Sequence, residues 1–372
     1  MKRQKGFGLE ALSAARGSLL GWATLWVALF HSYHMDFFRA RLLTALRLAG
    51  PLTRLRETGN CGVDLFLFLS GLGLVYSWTG IRERSAHPLR EFYGRRFARV
   101  LPAYLTVSLV YYGMTGTEGL HDWLGKIFLY GHYVPGMDGG AYWYFALLFP
   151  LYLLFPLLFR PVRRWGTWGA LGLIALTVGL TLLLRFAISD WYFDRVEIML
   201  TRVPVFLAGI LFGELSRRGT RLPAWAPWAA LGLSLPVWFA ASSMPPALMP
   251  WRRYVYGALT VLIALGYAGV CARLRGRGVV RRCMSAVGAL SLEIYLIYEN
   301  LYVAQPRLLR GADGTGTVRL LTTFVAAALL GALLQVTLNH LRALWEKTGR
   351  TPELRPSAAP DAPANPAKEG SR

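Results

Sequence analysis

Charge is scarce in this chain, and negative charge is scarcer still. Charged residues make up 16% of the sequence, against about 25% in an ordinary soluble domain. That leaves too little polar surface to face water on every side, and no hydrophilic stretch is long enough to form a separate soluble domain. Lysine occurs only at positions 2, 5, 126, 347 and 368, so arginine supplies nearly all of a net charge of +21. The three cysteines, Cys61, Cys271 and Cys283, have no paired spacing, which excludes a disulfide framework and a cysteine-based zinc site. HExxH, GxSxG, a P-loop and a GxGxxG in a strand–helix context are all missing, so the sequence argues against zincin, α/β-hydrolase, NTPase and dinucleotide-binding chemistry. No metal constellation stands out.

What fills the chain instead is apolar: 54% of residues are hydrophobic. A spanning helix needs about 20 mostly apolar residues. Candidate spans fall at 17–37, 60–80, 100–117, 142–160, 168–188, 203–215, 223–243, 254–272, 284–304 and 317–338. The fold class expected is therefore all-α, a polytopic membrane helical bundle of about ten spans. The sixth span is short and reads as tilted, extended or interrupted. The stretch 120–134 is amphipathic and reads as an interfacial or re-entrant piece. The basic N-terminus lacks a short apolar stretch with a small-residue cleavage site, so the first run reads as a retained span rather than a signal peptide. This divides the chain into an N-terminal segment 1–16, a transmembrane domain 17–340 and a tail 341–372 whose Pro-, Ala- and charge-rich composition from about 347 predicts disorder.

The positive residues lie between apolar runs, where they act as topology signals and contacts for anionic lipid rather than as a nucleic-acid surface. With the N-terminus in the cytoplasm, cytoplasmic segments include 81–99 with six arginines, 160–167 with three, 216–222 with three and 273–283 with five. The opposite face has Lys126 alone in 118–141, Arg195 and Arg202 in 189–202, and Arg252 and Arg253 near 250. Arginines in 38–59 run against this trend, yet the bias favours N-in and C-in.

Ionisable residues within apolar runs are the informative ones, because each costs about 2.5–3.5 kcal/mol on insertion scales and tends to face a bundle or a water-filled cavity. His31 sits in LWVALFHSYH and reads as a general base, since imidazole can take and return a proton near neutral pH; a satisfied interfacial histidine is the alternative. Asp64, in GNCGVDLFLFLSG, could act in catalysis or cap its helix. Glu293 and Glu299 lie in SLEIYLIYEN; Glu293 could equally pair with an intramembrane arginine. In FYGRRFARVLPAYL, Arg96 and Arg99 share a helical face while Arg95 points elsewhere. Such guanidinium groups can clamp phosphates or simply stop translocation. Pro102 is expected in the first turn of the next span, and Tyr142, Trp143, Tyr144 and Phe145 read as an interfacial aromatic belt.

Taken together, GNCGVDLFLFLSGLGLVYSW, FYGRRFARVLPAYL, the upstream GWATLWVALFHS and the downstream YWYFALLFPLYLLFP, RVPVFLAGILFGEL and SLEIYLIYENLY resemble the membrane acyltransferase 3 family, from about residue 16 to 338. The resemblance implies ten spans and transfer of an acyl group, often acetyl, from cytosolic acyl-CoA to a hydroxyl, in a multi-pass protein of a bacterial-type cell membrane. It implies acetyl-CoA as donor substrate, no metal, membrane lipids and a carbohydrate or lipid-linked sugar acceptor as partners, and no nucleic acid. His31 matches the family's first-helix histidine. Arg96 and Arg99 match its Arg-x-x-Arg motif linked to acyl-CoA, with Arg95 beside them. Three positions depart from the pattern. Leu20 stands where an arginine is common, with Arg16 one turn away as its substitute; Leu148 stands where a glutamate is common, leaving Asp64 or Glu293 as catalytic acid; Tyr298 stands where many relatives have histidine. A fused extracytoplasmic hydrolase-like domain is not expected. A proton-coupled transporter or flippase of a lipid-linked sugar is the competing reading, although the halves show no convincing repeat; a non-catalytic scaffold is a third.

Overall fold

The computed structural model describes residues 6–31, 49–245, 248–274, 278–308 and 316–347. The predicted disorder beyond 347, the end of the first predicted span after His31 and the side chain of Glu299 lie outside the described residues. The chain is helical almost throughout, in the order α1 (Glu10–His31), α2 (Ala49–Glu57), α3 (Cys61–Arg84), α4 (Pro88–Thr115), α5 (Leu120–Ile127), α6 (Trp143–Trp165), α7 (Thr167–Ala187), α8 (Asp190–Leu200) and α9 (Val203–Arg217), followed by α10 (Ala226–Ser242), α11 (Met249–Arg273), α12 (Val279–Ala289), α13 (Ser291–Leu308) and α14 (Gly316–Lys347). A two-residue antiparallel ladder joins Phe7–Gly8 (β1) to Arg221–Leu222 (β2), tying the N-terminus to the loop after α9.

Six described helical segments are long and apolar enough to cross a membrane, and α10 is a shorter apolar helix; the described part of each predicted run overlaps a helix. The distribution of apolar surface identifies the solvent. Of its most apolar window, α3 has 78% inside the protein, whereas α7 has 11% and α14 has 17%. Soluble monomers rarely show apolar faces of that extent, so α7 and α14 belong against lipid and α3 is the central post.

Lipid tails are as apolar as leucine, so helices in a bilayer associate by close packing at small residues. Gly209 and Gly213 of α9 form a GxxxG step, and a Cβ at Gly209 would collide with the Phe68 carbonyl of α3. Gly17 and Gly21 of α1 form another, where a Cβ at Gly21 would strike the Met284 carbonyl and one at Gly288 the Gly17 carbonyl of α1. These contacts fix α1, α3, α9 and α12 as the inner frame.

Several local expectations are corrected. Pro102 lies deep inside one continuous helix, α4, rather than in its first turn. A proline lacks the N–H that would serve the carbonyl four residues earlier; that carbonyl, Ala98, accepts instead from Arg342 of α14. The same device recurs in α6, where Pro150 frees the Ala146 carbonyl and the Tyr133 hydroxyl donates to it. The short sixth run is extended by α8, with a break at Thr201–Arg202 where the helical ladder is interrupted. The aromatics at 142–145 are not an interfacial belt: Tyr142, Tyr144 and Phe145 are buried, the Tyr142 hydroxyl donates to Asn300 at 2.8 Å, and Tyr144 packs on Tyr295.

The stretch 120–134 is an eight-residue helix, α5, and a short 3-10 turn, too short to span. Lys126 pairs there with Asp122 at 2.8 Å and Asp138 at 3.1 Å. His132, beneath, is buried; burial and the neighbouring Arg195 cation lower its pKa to about 4. A depressed pKa stabilises the folded loop above the unfolded value of about 6.5. We therefore expect the hydrogen-exchange protection factors of residues 118–142, taken relative to the intrinsic rate at each pH, to fall as pH falls from 6.5 towards 4, because the open loop takes up the proton first. A His132→Gln variant removes that pH dependence; a flat profile in the wild type would contradict it.

Candidate active site

The arginine-bearing ends of the inner helices collect on one side of the bundle. Arg218, at the end of α9, donates to the Arg163 carbonyl at the end of α6 at 2.6 Å, and Arg281 of α12 donates to the Ala14 carbonyl of α1 at 2.7 Å. A cavity of about 160 Å³ opens among α1, α3, α4, α6 and α13. Three guanidinium groups line it: Arg16 from α1, and Arg96 and Arg99 from α4, one turn apart. Their situations differ. Arg99 is held bidentately by the fully buried Glu293 of α13, at 2.5 and 3.2 Å. Arg16 reaches over Gly73, whose missing side chain leaves it room, and donates from Nε to the Leu69 carbonyl at 3.3 Å. Among the described residues, the buried Nε of Arg96 has no hydrogen-bond partner. Burying such a donor without a partner costs about 1–3 kcal/mol or more for a charged group, so the cavity is prepared for an acceptor.

His31 closes α1 on the other side of the same frame. It lines a crevice of about 10 Å³ with Thr24, Val27, Ala28, Ile294 and Tyr298, space for about one water at most. Its ring lies 6.4 Å from that of Tyr298, whose hydroxyl donates to the Ala28 carbonyl at 3.0 Å. Phe66 and Tyr295 belong to the walls of both the crevice and the arginine cavity. The two spaces thus adjoin at these two side chains. Along α1, Arg16 and His31 are fifteen residues apart, about 22 Å.

The other sequence candidates lie elsewhere. Arg95 pairs with Glu91 at 2.6 Å and does not line the cavity. Asp64 lines neither space. It is buried against Arg202 at 3.2 Å, both side chains 1% exposed, and no side-chain capping bond is formed at the start of α3. Arg202 also lies over the Trp143 ring at 5.1 Å and donates to the Ile198 carbonyl at 2.9 Å. Beside this pair, Glu197 is bound by Arg253. Among the described residues no group of three histidine, cysteine or acidic side chains could hold a metal ion.

The cavity wall also contains Ser70, Tyr144, Tyr152 and Tyr295; the sequence singled out only Tyr144 among them, as a belt residue rather than as part of a site. Hydroxyl-bearing residues are common in transmembrane helices, so only the spacing of Tyr295 and Tyr298, three apart in SLEIYLIYEN, hinted at a shared face. Leu20 and Leu148, two of the three departures from the acyltransferase 3 pattern, line this same cavity, and the third, Tyr298, lines the histidine crevice. Leu20 and Leu148 make their part of the wall apolar.

A bundle of apolar helices enclosing an arginine cavity and a histidine crevice defines an integral membrane protein with a polar interior site. Residues 19–338 match the family described as an acyltransferase domain, and the chain belongs to that family. No curated protein and no solved structure matches it significantly.

Proposed function

We propose that this membrane acyltransferase moves an acyl group, acetyl in the first instance, from cytosolic acyl-CoA to the hydroxyl of a carbohydrate or lipid-linked sugar. The observation that carries the proposal is the meeting of two spaces at Phe66 and Tyr295, with Arg96, whose buried Nε has no hydrogen-bond partner, on one side and His31 on the other. In this reading the arginine-rich ends face the cytoplasm of a bacterial-type cell, with both termini inside, as the loop charges favour. Arg96 and Arg16 hold phosphate oxygens, and the uncharged pantetheine arm runs inward past Tyr144 and Tyr295. Such groups favour phosphate because a guanidinium fork matches its oxygens.

The thioester would pass Phe66 and Tyr295, which line both spaces, to reach His31. His31 then takes the proton of the acceptor hydroxyl as its oxygen attacks the thioester carbon. The new C–O bond forms, the C–S bond breaks, and the proton returns from His31 to the departing thiolate. Glu293 and Asp64 take no proton in this scheme, because each is engaged by an arginine. The same engagement weighs against a proton-coupled carrier, since Asp64, Glu197 and Glu293 are all ion-paired.

The test is transfer from radiolabelled acetyl-CoA by purified protein in vesicles, with hydroxyl-bearing glycans offered as acceptors. An Arg96→Ala variant is expected to raise KM for acetyl-CoA tenfold or more, from loss of a charged hydrogen bond of about 1.5–3 kcal/mol. Flux of a sugar substrate without any acyl transfer would replace this reading by the transporter.

A further inference from the structure

A second, larger space lies on the arginine-rich side, between the ends of α3, α4 and α6. It is a groove of about 810 Å³ with Arg82, Arg160, Arg163 and Arg164 on its walls and Pro156 and Phe159 along its floor. We propose that this groove binds the adenosine end of acyl-CoA, its arginines gripping the 3′-phosphate while the diphosphate lies on Arg96 and Arg16. The inference rests on the acyl-CoA reading above and deepens it.

Size is the first argument. The inner cavity, at about 160 Å³, has room for a pantetheine arm and a phosphate edge but not for a nucleotide, whereas the groove is about five times larger.

Charge is the second. Glu293 neutralises Arg99 in the cavity. Among the described residues none of the four groove arginines pairs with a carboxylate; the neighbouring Glu214 is already bridged by Arg217 and Arg218. Four cations around an apolar floor suit a ligand that joins a flat aromatic base to a phosphate.

Continuity is the third. The groove and the cavity share α3, α4 and α6: Tyr152 of the cavity is one turn from Pro156 of the groove. Leu89 of the groove lies seven residues before Arg96, about 10 Å along α4. A ligand extending from the cavity towards the arginine-rich side along these helices enters the groove.

The experiment compares acetyl-CoA with acetyl-dephospho-CoA, which lacks only the 3′-phosphate, as donors for wild type and for Arg160→Gln/Arg164→Gln in vesicles. These arginines are exposed, and unchanged thermal unfolding will show that the variant folds. Wild type is expected to prefer acetyl-CoA by tenfold or more in kcat/KM. The variant is expected to lose that preference through a raised KM for acetyl-CoA. Equal use of the two donors by wild type, or a preference that survives in the variant, overturns the groove assignment and leaves the acyltransferase reading standing. A variant that changes only the response to anionic lipid makes the groove a headgroup site and likewise overturns it. No transfer from either donor overturns both.

Discussion

Replacing His31 by alanine is expected to lower kcat for acyl transfer by about 100- to 10,000-fold, the usual contribution of a positioned general base. KM for the acyl donor should stay close to the wild-type value. The split follows from geometry: His31 lines the narrow crevice and is absent from the arginine cavity, and the two spaces adjoin at Phe66 and Tyr295. A variant that binds donor but does not react is the signature of a group acting on the reacting atoms alone. His31→Gln should be as inactive as His31→Ala, since a glutamine fills space but cannot carry the proton. Transfer that persists at more than a tenth of the wild-type rate in either variant would remove His31 from the mechanism. A rise in KM equal to the fall in kcat/KM would make it a binding residue instead.

The second large effect concerns stability. Arg202→Ala is expected to cost about 3–5 kcal/mol, because it strands the Asp64 carboxylate in a site from which water is excluded. Both partners are 1% exposed, so solvent offers almost no screening. The double replacement Asp64→Leu/Arg202→Leu should recover most of that loss, since exchanging a buried ion pair for apolar side chains is often neutral or stabilising. Thermal unfolding in detergent of the two single variants and the double variant gives the coupling directly. If the double variant is as unstable as Arg202→Ala, the loss comes from the Trp143 and Ile198 contacts of Arg202 rather than from the charge pair. The result also bears on mechanism: a double variant that is stable and active leaves Asp64 a structural residue.

Leu20 and Leu148 show how the site differs from the acyltransferase 3 pattern without losing coherence. Each looked like a missing catalytic part when read along the chain, because nothing in the sequence relates positions 128 residues apart. The fold places both on the wall of one cavity, where Arg16, Arg96 and Arg99 supply the positive charge.

His31 was readable as a candidate because an ionisable side chain in an apolar run is costly; Arg96 was readable as a possible phosphate clamp beside Arg99, and Arg16 came from the family resemblance alone. Glu293 was readable as a residue with two possible fates, and pairing with an intramembrane arginine is the one the fold adopts: the partner, Arg99, is 194 residues away. Ser70 and Tyr152 carried no signal, since their chemistry is ordinary in a transmembrane helix, and Tyr144 was read as a belt residue.

By itself the sequence determined the solvent and the class. Long apolar runs with too little charge can be satisfied only by helices in lipid, and clustered motifs over most of the chain pointed to the acyltransferase family that residues 19–338 match. Tertiary structure alone decided which charges are spent and which are available. Arg95, Arg96 and Arg99 lie within five residues of each other, yet one pairs with Glu91, one leaves its Nε unpartnered and one is clamped by Glu293. Those outcomes depend on neighbours from other helices, because burial and pairing arise from packing across the bundle, and local sequence holds no record of it.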